Sequence, residues 1–218
     1  MSPEEKRPGS GQWAGAAVSW LAVCCAAVCV AVLGLLSVER PERRWSSPVE
    51  IENAYVALAV GQTFFLVFIL PLFEKRWRHS RSAGDLGSLA VRIVGLLVLS
   101  SPLVLLTLRT CETGWAAALR SQALLLLMGL TVGLAVRMPR AVSWYYPGAF
   151  LLSAAVPLAA YLLREEGGVP TGWARVVSPF WAAGSAACGG EVAGPLIFFG
   201  CLGAAALLLL RTGAPEQP

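Results

Sequence analysis

The sequence predicts an all-α, polytopic integral membrane protein with six transmembrane helices and a short re-entrant or interfacial helical segment before the last of them. Three observations predict it. Of the 218 residues, 56% are hydrophobic and only 14% charged, where a soluble domain carries about 25% charged residues. The charges are gathered between long apolar runs, as backbone that must satisfy its own hydrogen bonds in lipid requires. The chain shows none of the alternating segments of about 10 residues that mark a membrane β-barrel. The mean hydropathy of +0.66 agrees. A net charge of +4 suits a membrane surface and gives no nucleic-acid footprint.

Residues 1–218 read as one membrane domain with spans at about 13–37, 54–73, 86–108, 115–136, 146–163 and 192–210. Each approaches the roughly 20 residues a bilayer crossing needs. The first run follows Lys6 and Arg7 and is much longer than a signal-peptide core. The second opens after "SSPVEIENAY", and the fifth is short and carries Pro157. Between the fifth and sixth lies "REEGGVPTGWARVVSPFWAAGSAACGGE", where Trp173, Val176, Val177, Phe180 and Trp181 fall at near-helical spacing. Tryptophan favours the membrane interface, so one or two short helices are expected at, or dipping into, the outer leaflet, broken near Pro179.

Orientation follows from the Lys and Arg residues of the loops. One side holds Lys6, Arg7, Lys75, Arg76, Arg78, Arg81, Arg137, Arg140 and Arg211, with Arg92 able to snorkel back to it. The other holds Arg40, Arg43, Arg44, Arg109, Arg120, Arg164 and Arg175. The heavier side is expected to be cytoplasmic, with both termini. The densest basic stretch, "FEKRWRHSRSAGDLGSL" at 73–89, then lies in an inward loop. It reads either as a positive-inside anchor or as a docking surface for a cytoplasmic partner.

Chemistry-bearing motifs are few. His79 is the one histidine, and it sits among positive neighbours that disfavour its charged form and repel metals. No Ser/His/Asp set, GxxxxGK[ST] loop, HExxH or CxxC can be read. No catalytic residue, cofactor or metal is expected. Cys24, Cys25 and Cys29 lie in the first run and Cys201 in the last, where cysteine serves as a small hydrophobe. Cys111 and Cys188 fall in loops on the same, outer side, where a disulfide between them is possible. Gln62, Thr63 and Gln122 lie within spans and are expected to hydrogen-bond between helices. Every Asp and Glu lies near a span end, unlike the buried carboxylates of proton-coupled carriers. In "GLTVG", Gly129 and Gly133 share a helix face and permit close helix contact.

The layout over most of residues 50–210 resembles the membrane subunits of type-2 ABC exporters. The resemblance is carried by "LPLFEKRWRHSRSAGDLGSLAVRI", with Glu74, Arg76 and Gly84, and by "LLVLSSPLVLL" with Pro102. It extends to the basic turn in "GLAVRMPRAVSWYYP" and to "VVSPFWAA" with Pro179 before the last run. It departs from the family at residues 1–12, too short and too rich in Gly and Pro for the family's basic amphipathic helix, and in the missing glutamate-rich part of the coupling loop. The resemblance implies a permease subunit without enzymatic activity, energised by a separate cytoplasmic ATPase and working as a homo- or hetero-dimer. Glu74, Arg76, Arg78 and Arg81 would then form the partner-coupling loop, in a bacterial inner membrane. The alternative function is a structural or assembly subunit of a larger membrane complex, which an absence of catalytic groups fits equally well.

Overall fold

The computed structural model describes residues 10–37, 49–77, 86–110, 113–138, 142–167 and 172–212. Among them there is no strand, and six helices are long and apolar enough to cross a membrane. They are span 1, Trp13–Ala31; span 2, Ala54–Glu74; span 3, Gly87–Arg109; span 4, Trp115–Arg137; span 5, Ser143–Glu165; and span 6, Ala193–Thr212. At about 1.5 Å per residue each covers about 30 Å. Spans 2 and 4 are the hub. At least half of each is buried, against less than a quarter of any other span.

Small residues let the other spans close on this hub. On span 4, a Cβ at Gly133 would lie 2.6 Å from Leu89 Cδ1, and one at Gly129 would lie 3.0 Å from Ile93 Cγ2. The glycine pair is therefore the seat of span 3, whose Leu89 and Ile93 are fully buried. On a neighbouring face, the Thr131 hydroxyl lies 2.9 Å from its own helix's Leu127 carbonyl and 3.0 Å from the Phe199 carbonyl of span 6. Span 1 leans on span 2 through Ala16, Trp20 and Cys24, one buried stripe at i, i+4 and i+8. Trp20 meets Phe65 edge to face at 5.1 Å, and a Cβ at Gly61 would lie 2.7 Å from Ala27 Cβ. Cys25 and Cys29 lie off this stripe and are exposed on the helix surface.

Prolines shape three spans. Span 3, read as one helix, is divided at Ser100 into Leu86–Leu99 and Ser101–Thr110, where Pro102 brings no N–H for the Val98 carbonyl. Span 2 contains a π-turn, Phe65–Ile69, ending two residues before Pro71. Span 5 contains another, Leu151–Ala155, ending two residues before Pro157. The wider turn moves backbone away from the proline ring without ending the helix. Span 5 is consequently longer than the run expected at 146–163, and it carries Pro147 inside the helix as well.

The segment before span 6 folds as two short helices, Gly172–Val177 and Pro179–Ala187, broken at Ser178. The second is no surface helix. Pro179, Ala182, Ala183, Ala186 and Ala187 are buried, and the helix is wedged between spans 2 and 4. Phe180 stacks on Phe68 in the middle of span 2, with centroids 6.3 Å apart, whereas Gly189 lies beside Ala117 at the start of span 4. The segment therefore enters the bundle and returns to the end at which span 4 begins. Ser178 caps it, accepting from the Trp181 N–H at 3.5 Å, with Pro179 in the first turn. At its other end Gly189, at φ +77°, donates to the Ala186 carbonyl, and Gly190 donates to the Ser185 carbonyl at 2.8 Å. This pair of bonds is a Schellman cap, which needs the left-handed glycine.

Gly133→Val should lower stability in detergent by about 1–3 kcal/mol, because the new methyls overlap the buried Leu89. Adding Leu89→Ala should recover part of that loss. Thermal unfolding of the two variants checks this, and an undiminished Gly133→Val variant would contradict the packing described.

Candidate functional site

The polar groups of the bundle gather at two levels. The first lies where span 2 ends. Glu74 belongs to the helix Leu70–Trp77, and its residue is only 4% exposed. Arg92 Nη1 of span 3 donates to its Oε1 at 3.4 Å, and Arg137 Nη2 of span 4 donates to its Oε2 at 3.4 Å. One carboxylate thus holds two guanidiniums and joins three spans. Span 2 ends, span 3 begins and span 4 ends at the same side of the bundle, so the chain's topology brings these three residues together. Both arginines are partly exposed, at 27% and 16% of the side chain. The Glu74 side chain between them is almost fully enclosed.

The second level lies deeper. Gln122 Nε2 of span 4 donates to Gln62 Oε1 of span 2 at 3.1 Å. Gln62 Nε2 donates to Ser100 Oγ at 2.8 Å, and Ser100 Oγ donates to the Leu97 carbonyl at 2.9 Å. The donors run in one direction through spans 4, 2 and 3, the same three helices that Glu74 joins. The break at Ser100 puts its hydroxyl at the terminus of this chain. One turn further along, Tyr55 OH donates to the Ala118 carbonyl at 3.3 Å and again joins spans 2 and 4. Thr63, expected to bond between helices, instead donates to the Ala59 carbonyl of its own helix at 2.8 Å.

The residues expected to form a coupling loop separate into three environments. Glu74 is inside the bundle, on a helix, with both carboxylate oxygens engaged by Arg92 and Arg137. It therefore does not reach outward to a partner by itself. Arg76 lies in the last turn of the same helix. Arg78 and Arg81 lie outside the described residues, as does Cys111, so its pairing with Cys188 has no geometry here. Cys188 is the exposed C-cap of the wedged helix. Among the described residues, no group of three or more His, Cys, Asp or Glu side chains could hold a metal ion. Arg137 entered the sequence reading as a loop charge, and Arg92 as a residue of span 3 able to snorkel back to the same side. Their pairing is signalled there by one acid and two bases at consecutive span ends on one side.

Comparison of the chain with protein-family models, with curated proteins and with solved structures gives no match.

The two levels differ in what their loss costs. Removing Glu74 takes from Arg92 and Arg137 the enclosed carboxylate they share, so Glu74→Ala should destabilise by about 3 kcal/mol, the low end for a broken buried pair, because both arginines are partly exposed. Gln62→Leu removes neutral bonds, which within membranes average about 0.6 kcal/mol each, and should cost about 1 kcal/mol. Unfolding titrations in mixed micelles should rank the variants in that order, and the reverse order would contradict the assignment of Glu74 as the stronger tie.

Proposed function

We propose that this chain is the membrane-spanning permease subunit of an ABC-type transporter, energised by a separate ATPase subunit and working as a dimer of permeases. The carrying observation is the placement of Glu74. It is the last residue of span 2 and stands directly before the basic segment 75–85, while its carboxylate grips spans 3 and 4. A displacement of that segment by a nucleotide-driven partner is thereby passed to three of the six spans at once. In such a division of labour the permease needs rigid connection to the coupling segment and no catalytic group of its own. The helix wedged between spans 2 and 4 just before span 6 supports the same reading, since the type-2 exporter layout has short re-entrant helices at that place.

In this reading segment 75–85 and both termini face the cytoplasm of a bacterial inner membrane. The arginines beyond Glu74 then serve the partner while Glu74 serves the bundle. The surface that meets the ATPase is basic, and it fits acidic groups on the partner.

The test is the triple change Arg76→Ala, Arg78→Ala and Arg81→Ala, with topology checked by reporter tags at Ser82 and Gly168. Exposed ion pairs contribute about 0–1 kcal/mol each. Three together should weaken a partner complex by about tenfold, equivalent to about 1.4 kcal/mol. The measurement is the amount of ATPase subunit that co-purifies with the tagged protein from native membranes. Loss of the ATPase with unchanged insertion is the expected result. Full retention would reduce the cluster to a topological anchor. A wild-type protein that brings down a stable complex without an ATPase would favour the structural or assembly subunit.

A further inference from the structure

Pro71 has no N–H, so the carbonyl of Val67, four residues earlier, loses its usual helical donor. In hydrocarbon that carbonyl needs another. It gets one from outside its helix: Tyr145 OH, in the first turn of span 5, donates to the Val67 carbonyl at 2.7 Å. This is a short neutral hydrogen bond between two spans. Beyond Tyr145, span 5 is the least buried of the six spans. Its first half packs on span 4 and on the π-turn of span 2, its middle touches the wedged helix Pro179–Ala187, and its far half touches the helix Gly172–Val177. Between the Tyr145 attachment and that far half lies the π-turn Leu151–Ala155, followed by Pro157. Within that turn Ser153 is buried, and its hydroxyl has no hydrogen-bond partner.

From this arrangement we infer that the first half of span 5 is a hinged strap, pinned to span 2 by the Tyr145–Val67 hydrogen bond and turning about the π-turn at 151–155. The pin is one neutral bond set beside a permanent backbone defect, and the rest of this half is held by packing on span 4 and on the π-turn of span 2, where apolar contact gives little driving force within lipid; it therefore opens and closes without disturbing the ion pairs of Glu74. Release of the pin swings Val142–Phe150 away from span 2 and leaves the half beyond Pro157 in place against the helix Gly172–Val177. A lateral gap then opens between spans 2 and 5 at the end of the bundle that carries Glu74. The device belongs to the fold and does not require the transport reading.

The experiment is pulsed electron–electron distance measurement on spin-labelled full-length protein in nanodiscs. One label pair, at Ser143 and Leu209, reports the pinned end of span 5, and a second, at Leu162 and Leu119, reports the opposite end; all four positions are exposed. Tyr145→Phe removes only the hydroxyl. It should add a second, longer distance population to the Ser143–Leu209 pair and leave the Leu162–Leu119 pair as in the wild type. Adding Pro157→Ala, which lets the helix close across the turn, should remove that second population. The inference is overturned if Tyr145→Phe leaves the first pair unchanged or if both pairs shift together. It is equally overturned if the second population survives Pro157→Ala.

Discussion

The sharing of one enclosed carboxylate between two arginines is the constraint on which this bundle depends. A carboxylate within apolar surroundings is costly unless it is paired, and an arginine facing lipid is costly unless it reaches water or an acid. Glu74 meets both needs for three spans. The enclosed Glu74 fixes where span 2 must end, and Arg92 and Arg137 fix how far spans 3 and 4 may slide along it. Hydrophobic packing could not set this register alone, since lipid tails and leucine side chains are similarly apolar and give little driving force between helices.

With the register set, close packing becomes possible. Gly129 and Gly133 present bare backbone to Ile93 and Leu89 only at one vertical position of span 3. The same position aligns Gln122, Gln62 and Ser100 into a single line of donors and acceptors. Van der Waals contact, neutral hydrogen bonds and ion pairs thus agree on one arrangement of spans 2, 3 and 4. Such agreement between levels is what gives a chain a single native state. Spans 1 and 6 pack extensively on this hub, span 1 along span 2 and span 6 along span 4, where Thr131 and the cluster around Phe199 meet it. Span 5 is the least buried span, and it is held by Tyr145, by span 4 and by the helices before span 6.

Much of this was legible in the sequence. Apolar runs bounded by charges give six spans because lipid forces each helix to satisfy its own backbone. The glycine spacing in "GLTVG" marks a helix contact, and "VVSPFWAA" marks a break between short helices near Pro179. The wedge itself was less legible, since Ala182, Ala183, Ala186 and Ala187 have the same apolar character against lipid as against protein. The bends were harder still. Pro71, Pro102 and Pro157 are equally visible as letters, yet Pro102 divides its span and the other two induce π-turns. At Pro71 a neighbouring donor, the Tyr145 hydroxyl, serves the Val67 carbonyl that the proline leaves. Glu74 was misplaced for a related reason. A charged residue at the end of an apolar run reads as loop, and the arginines that draw it inward are 18 and 63 residues away in the chain.

The central claim is that Glu74 and Arg137 act as one unit between spans 2 and 4. A double-mutant cycle between Glu74→Gln and Arg137→Gln, read by reversible unfolding in mixed micelles, tests it most directly. Side chains in direct contact couple by about 0.5–3 kcal/mol, and the expected value is in the upper half of that range because the carboxylate is enclosed. The double variant should then be little worse than the more damaging single one. Simple additivity of the two single losses would contradict the account.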